Sequence, residues 1–449
     1  MERDLTTGSI GKNILKFSLP YFLSYFLQTL YGMADLFIIG QFDSVAGTTA
    51  VSIGSQVMHM ITVMIVGIAM GTTVMIGKSV GAKQKKETSR IIGNTVTLFL
   101  GISIILTIIL LFFVDPIVSI MSTPAQAVNG TKAYLMICFA GIPLITAYNI
   151  ISSIFRGLGD SKSPMYFIAI ACFANIVLDY VFINNLQLGA SGAALGTTLA
   201  QTISVIIALF AIFKKNTGIS VKRTDLIPHS KTMKGILQIG IPISLQDGFI
   251  QISFIIITII ANQRGLNDAA AVGIVEKIIS FVFLVPSSML SSVSAISAQN
   301  IGAGKDDRAL KTLKYATIIA VSFGLVVAIC MQFISNPVIG IFTHDAAVMN
   351  MGSQYIRSYI WDCMIAGIHF SFSGYFCAYG KSGISFIHNV LSIVLIRVPG
   401  AFLASKYFPN TLYPMGFAAP CGSLLSVVIC VAALYYLNNI KKKRQASIV

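Results

Sequence analysis

The sequence predicts an all-α polytopic membrane protein with twelve transmembrane helices in two pseudo-symmetric six-helix lobes. Three observations carry this. Of 449 residues, 55% are hydrophobic and only 10% charged, where a soluble domain carries about 25% charged residues. A water-soluble protein this apolar would expose large patches and aggregate. The apolar runs are not one or two anchors but fill the chain from Ile14 to Asn439, and the chain repeats itself at a spacing of about 221 residues.

A span needs about 20 apolar residues. Runs of that kind place helices near 14–39, 46–76, 91–113, 132–155, 164–184, 190–213, 236–262, 270–299, 315–334, 354–378, 384–405 and 415–439. The second and eighth are long enough to tilt or to project from the bilayer. The first run is too long for the apolar region of a signal peptide, and the polar stretch before it, Met1 to Lys12, is mixed in charge, so no cleavable signal is expected.

The basic residues set the orientation. With the N-terminus in the cytoplasm, 25 of the 31 Lys and Arg fall inside. They include Lys78 to Arg90, Arg156 and Lys162, Lys214 to Lys234, Lys305 to Lys314, and Lys441 to Arg444. Four fall outside (Lys132, Arg264, Arg357 and Lys406), and Lys277 and Arg397 lie within spans. This positive-inside bias predicts an inner-membrane protein with an even helix count and both termini cytoplasmic. The pI near 9.5 does not point to nucleic acid, because the charges occupy short gaps with no basic domain behind them.

The repeat is carried by separate landmarks. Gly81-Ala82 returns as Gly302-Ala303, Asp115-Pro116 as Asn336-Pro337, Tyr134 as Tyr355, Gly159 as Gly380, and Pro20, slipped by one residue, as Pro242. Six helices per half repeating in one orientation predict an axis along the membrane normal. The expected division is an N-lobe at 1–213, a polar cytoplasmic linker at 214–235 and a C-lobe at 236–449. The seven cysteines lie inside apolar runs without ligand spacing and are expected as small buried hydrophobes, not disulfides or zinc ligands.

Ionisable groups in membrane helices are costly and face the protein interior or a wet cavity. Five acids lie within spans: Asp35, Asp179, Asp247, Glu276 and Asp362. Asp179 stands fifteen residues beyond the start of its expected helix, about 22 Å at 1.5 Å per residue. Asn175 is one turn below it on the same face. Asp35 lies near the outer end of the first helix, and Thr197 about 10 Å in from the outer face. The four can therefore share one depth. Two nearby carboxylates in a low dielectric cannot both stay ionised cheaply. The pair is thus a candidate proton carrier, or with the Asn175 and Thr197 oxygens a hard-oxygen site for Na⁺; the bland alternative is that both acids only bind neighbouring helices together. In the C-lobe, Arg397 falls near the level of Glu276 and Asp362 and calls for a carboxylate partner, in a structural or a functional pair. Lys277 is expected to snorkel, and His59, His369 and His388 to pack. The methionines crowding the second helix (Met58, Met60, Met64, Met70, Met75) are expected to fill the bundle core. No HExxH, P-loop or GxSxG occurs, which argues against an enzyme and against ATP as a direct energy source.

Several stretches, in order, resemble the MATE (multidrug and toxic compound extrusion) family. They are Pro20 followed by Met33-Ala34-Asp35, Gly81-Ala82, Phe155-Arg156-Gly157-Leu158-Gly159-Asp160-Ser161-Lys162-Ser163-Pro164, Asn175-Ile176-Val177-Leu178-Asp179, and Gly189-Ala190-Ser191-Gly192 running to Gly196-Thr197. The resemblance spans essentially the whole chain. It implies two lobes about a central cleft, alternating access, and export of cationic, amphiphilic xenobiotics in exchange for H⁺ or Na⁺, with no cofactor and as a monomer. It maps the ion-coupling site, and any bound Na⁺, onto Asp35, Asn175, Asp179 and Thr197. Members with acids on the seventh and tenth helices suggest Asp247 and Asp362 as cavity residues, with Gln251, Glu276 and Arg397 as further polar candidates. Pro20 is the expected bending point of the first helix, since an intrahelical bond is lost there. The rival is a flippase for lipids or lipid-linked oligosaccharides. Such a protein calls for a strongly cationic cavity, whereas the span residues here are mainly acidic.

Overall fold

A computed structural model describes residues 4–214 and 221–446. The elements in chain order are α1 (Ile10–Phe42), α2 (Val45–Gly81), α3 (Lys85–Phe112), α4 (Val114–Ile120), α5 (Val128–Ala140), α6 (Ile142–Gly157), α7 (Lys162–Asp179), α8 (Gly189–Lys214), α9 (Ser230–Asn262), α10 (Leu266–Val282), α11 (Leu284–Gly302), α12 (Asp306–Gly340), α13 (Ala346–Tyr359), α14 (Trp361–Ala378), α15 (Ser382–Ser392), α16 (Val398–Tyr407), α17 (Tyr413–Gly416) and α18 (Ala418–Ala446). Wider turns of i→i+5 type continue α7 over Tyr180–Asn185 and join α15 to α16 over Ile393–Arg397.

Ten helices of the described residues are long and apolar enough to cross a membrane, and the pair α5–α6, bent by 49°, makes an eleventh. The remaining expected span, the tenth, at 354–378, falls on the end of α13 and on α14. That helix carries Asp362, His369, Ser371 and Ser373, all buried. Enclosed by protein on most of its circumference, it does not need an apolar surface for lipid. The expected spans are otherwise present, each extended by a few residues.

Contacts divide the chain into two units, one of Met1–Gly8, Leu15–Ser244 and Ala298–Lys305, the other of Ser9–Ile14, Leu245–Ser297 and Asp306–Val449. The division falls inside α9. Of the expected linker 214–235, residues 215–220 lie outside the described residues. The part that follows folds onto α3. Asn94, fully buried, donates from Nδ2 to the carbonyls of Asp225 (3.0 Å) and Ile227 (3.3 Å) and accepts the His229 N–H at 2.6 Å. Thr97 Oγ1 donates to the Leu226 carbonyl at 2.7 Å.

The first unit packs Ile39, Val51, Leu135, Phe139 and Ile142 in one cluster and Tyr148, Phe155, Phe167 and Ile168 in another. Its N-terminal residues form a strap. Leu5 is buried, its N–H donates to Gln299 Oε1 at 3.1 Å, and Lys305 Nζ donates to the Thr6 carbonyl at 3.0 Å. Asp4 accepts the Thr6 hydroxyl at 2.6 Å and its N–H at 2.7 Å; the Thr6 hydroxyl bond holds the Asp4 carboxyl below its ordinary pKa. Beside the strap the backbones meet with no room for side chains. A Cβ on Gly81 would stand 1.9 Å from the Gln299 carbonyl oxygen, and one on Gly302 2.0 Å from that of Lys78. Gly81 with Gly302, and Lys78 with Gln299, are repeat partners, so the contact is made twice by equivalent residues.

Arg156 departs from expectation. It is buried, not a solvated loop charge, with its guanidinium 4.2 Å above the Tyr21 ring. A delocalised, weakly hydrated cation tolerates burial against aromatic faces. Cys330 and Cys421 are exposed where burial was expected; on a membrane helix an apolar thiol can face lipid. The second unit centres on Ile257, Val272, Val275, Ile356 and Leu412. There Arg264 clamps a helix end, with Nε to Asp268 at 2.6 Å, Nη1 to the Ser405 carbonyl at 2.9 Å and Nη2 to the Pro409 carbonyl at 2.9 Å.

Candidate functional site

α1, α7 and α8 bring Asp35, Asn175, Asp179 and Thr197 together in the first unit. Asp35 and Asp179 are 2% and 0% exposed. Asn175 and Asp179 lie one turn apart on α7, and Asn175 Nδ2 donates to Asp179 Oδ2 at 3.2 Å. Thr197 Oγ1 donates to Asp35 Oδ2 at 3.1 Å. The two carboxyls are within side-chain reach of each other. Each has thus one neutral donor on one oxygen. Asp35 Oδ1, Asp179 Oδ1 and Asn175 Oδ1 are buried without a partner.

Buried polar atoms are ordinarily paired, and leaving one unpaired costs about 1–3 kcal/mol. A proton or a cation is the kind of partner that such acceptor oxygens can take. The groups acting on the two carboxyls are each other, Asn175 and Thr197. The i→i+5 turn begins at Tyr180, directly after Asp179, a feature that recurs where helices serve function.

Residues that the sequence did not single out complete the site. Gly196 lets α8 lie against α7: a Cβ there would stand 1.9 Å from Asp179 Oδ1. It was visible only as part of a glycine-rich stretch. Tyr31, one turn from Asp35 on α1, faces Gln201. With Ala171, Asn175, Thr197 and Ala200 these two line a void too narrow for a water molecule. Pro20 lies four turns away on α1 and does not interrupt the helix, which runs unbroken from Ile10 to Phe42. The Pro20 carbonyl accepts the Ser24 hydroxyl at 2.8 Å.

In the second unit the five candidate cavity residues do not form one group. Arg397 gathers Glu276 and Asp362 electrostatically, yet its closest polar partner is not the carboxylate that was expected. Nη2 donates to the Tyr359 hydroxyl at 2.5 Å, and the guanidinium lies 4.8 Å from the Phe254 ring. Glu276 Oε2 accepts the Thr258 hydroxyl at 3.1 Å. Glu276 Oε1, Asp362 Oδ1 and Arg397 Nε are left without partners. Asp247 sits apart, beside Gln246 and Cys377, and Gln251 is half-buried one turn further along α9. The His369 and His388 rings are 5.5 Å apart, with His388 Nε2 2.9 Å from Ser373 Oγ, and both are packed. Lys277 is exposed. Among the described residues no group of three or more His, Cys, Asp or Glu could hold a metal ion.

An all-helical chain of two repeated halves with buried acids in its spans is a multi-pass membrane transporter and not an enzyme. The MatE family model matches residues 20–181 and again 242–403, so the chain belongs to the MatE family, and the match restates the internal repeat. It is 28% identical over 434 residues to the probable multidrug resistance protein YpnP of Bacillus subtilis, covering 96% of each chain. It is 25% identical to the probable multidrug resistance protein NorM of Thermotoga maritima, covering 97% of this chain and 94% of that one. The multidrug export protein MepA of Staphylococcus haemolyticus is 24% identical, over 98% and 97%. The fold matches a multidrug resistance MATE family transporter of the MOP superfamily solved in an outward-facing conformation, with a TM-score of 0.92 at 22% identity over 98% and 99% of the chains. It also matches a MATE protein in a straight conformation, with a TM-score of 0.91 at 23% identity over 98% of each.

Proposed function

We propose that this chain is a secondary active multidrug efflux transporter, exporting cationic and amphiphilic compounds in exchange for H⁺ or Na⁺ by alternating access. The observation that carries the reading is the carboxylate pair, Asp35 and Asp179, enclosed with three unpartnered acceptor oxygens. A coupling site must be charged when facing one side of the membrane and neutralised when facing the other, and a desolvated acid pair meets that demand. One proton shared between the carboxyls, or one Na⁺ held by Asp35, Asp179, Asn175 and Thr197 oxygens, removes the repulsion. Release restores it and favours another packing of α1 on α7 and α8, with Pro20 as the place where α1 bends most easily because the Lys16 carbonyl receives no N–H there. Ion and drug that favour different packings weaken each other's binding, and this is exchange. Asp247, Gln251, Glu276, Asp362 and Arg397 are proposed cavity groups. The proposed arrangement is a monomer in the inner membrane with lobes 1–213 and 236–449, linker 214–235 and both termini cytoplasmic.

Reconstituted into proteoliposomes, the chain is expected to move a fluorescent organic cation uphill when a proton or sodium gradient is imposed. Asp35→Asn should fold normally, keep downhill drug flux and lose uphill transport. Uphill transport at the wild-type rate in that variant would place coupling elsewhere.

A further inference from the structure

A groove of about 760 Å³ opens in the first unit between α3, the end of the linker and the start of α9. We propose that it binds an anionic phospholipid, phosphate at the linker end and acyl chain along α9. The proposal rests on the orientation given above, which puts the linker at the cytoplasmic leaflet.

The wall residues are graded. Lys234, Leu237, Gln238 and Ile241 line the groove from α9 at i, i+3, i+4 and i+7, one helical face about 10 Å long. That face begins with an ammonium and ends in aliphatic surface. Opposite stand Leu98 of α3 and Pro228 of the linker. An amphiphile with a negative head and an apolar tail has the same gradation and about the same dimensions.

The groove is built, not incidental. Its linker wall is fixed by the three Asn94 hydrogen bonds and the Thr97 bond described above. Gly93 lets the linker approach: a Cβ there would stand 2.3 Å from the Asp225 carbonyl oxygen. A buried asparagine amide with three of its hydrogen bonds on a connecting segment holds Pro228 where a chain could lie against it.

Charge decides the class of ligand. The exposed ionisable side chains of 221–234 are Lys222, Arg223, His229, Lys231 and Lys234. The one acid of that stretch, Asp225, is half-buried and accepts the Lys222 backbone N–H at 2.8 Å. A cationic drug is repelled here, and a zwitterionic head gains nothing net. Basic clusters beside membrane spans attract anionic lipid by about 1 kcal/mol per Lys or Arg, roughly a fivefold preference each.

The test uses the full chain in detergent, titrated with phosphatidylglycerol or phosphatidylcholine of equal acyl length and read by native mass spectrometry. The wild type should bind phosphatidylglycerol preferentially. Lys234→Gln should lower that preference about fivefold without changing the melting temperature, and Leu237→Trp, which fills the apolar stretch, should weaken both lipids. Equal binding of the two lipids by the wild type, or an unchanged preference in Lys234→Gln, overturns the proposal. Competition by inorganic phosphate with no effect of Leu237→Trp also overturns it, since the site would then bind an ion and not a lipid. Lipid binding is read without transport, so absence of drug transport in the wild type would count against the proposed function and not against the groove.

Discussion

Gly196 shows how a missing side chain can define a charged site. Any Cβ at 196 collides with Asp179 Oδ1 at 1.9 Å, and Asp179 cannot retreat without losing the Asn175 bond and its approach to Asp35. Gly196→Ala is therefore expected to lower gradient-driven transport at least as much as Asp35→Asn, with a stability loss of about 1–3 kcal/mol from overpacking. Gly101→Ala is the matched control. Nothing lies within 4 Å of a Cβ at Gly101 in α3, and there the change should be neutral or stabilise by up to about 1 kcal/mol. Transport in proteoliposomes and thermal melting distinguish the two. The charged members of this site were legible from sequence because acids in apolar helices are conspicuous. The glycine was not, because the need for space belongs to the pairing of α7 with α8 and not to either sequence alone. For Arg397 the rule that a buried cation calls for a carboxylate anticipated Glu276 and Asp362 nearby but not the Tyr359 hydroxyl and the two aromatic faces that it touches.

Helix ends and the segments that tie them carry the next set of constraints. Gly302 at the end of α11 meets backbone, not a flexible side chain, so Gly302→Ala cannot be relieved by a rotamer change. It should cost about 1–3 kcal/mol, read as a lower melting temperature of the purified chain. Asn94→Ala strips partners from two carbonyls and an N–H, with an expected cost of about 1–3 kcal/mol. It should also loosen the linker, so that trypsin cuts after Lys222 and Arg223 faster than in the wild type at a temperature where both are folded. The existence of these helices was readable from their apolar runs and flanking charges. Their tails were not: α9 begins at Ser230, several residues before the apolar run, because packing on α2 replaces lipid there. A Cβ on Gly71 would stand 2.1 Å from the Ile236 carbonyl oxygen. Hydropathy marks α14 less strongly than its neighbours, since its polar side chains are buried inside the protein.

Composition and repeat together anticipated the architecture, because each is a property summed over hundreds of residues and insensitive to local exceptions such as Arg156. The proposed orientation is tested by single cysteines in a background without the seven native ones. With Lys222→Cys and Lys406→Cys, both at exposed positions, a membrane-impermeant maleimide applied to intact cells should label only the cysteine at 406. Labelling at 222 instead would reverse the topology, and labelling of both would contradict the odd number of spans expected between the linker and Lys406. The doubled contact of Gly81 with Gln299 and of Gly302 with Lys78 has an evolutionary consequence. Duplicated halves are usually free to diverge, one copy specialising while the other keeps the older role. At this spot each copy's glycine is pressed against the other's carbonyl, so a larger residue arriving in one copy cannot be absorbed by a change of side chain in the other. Elsewhere the repeats differ, with Cys377 standing where the first copy has Arg156; here the two copies remain tied to a shared history.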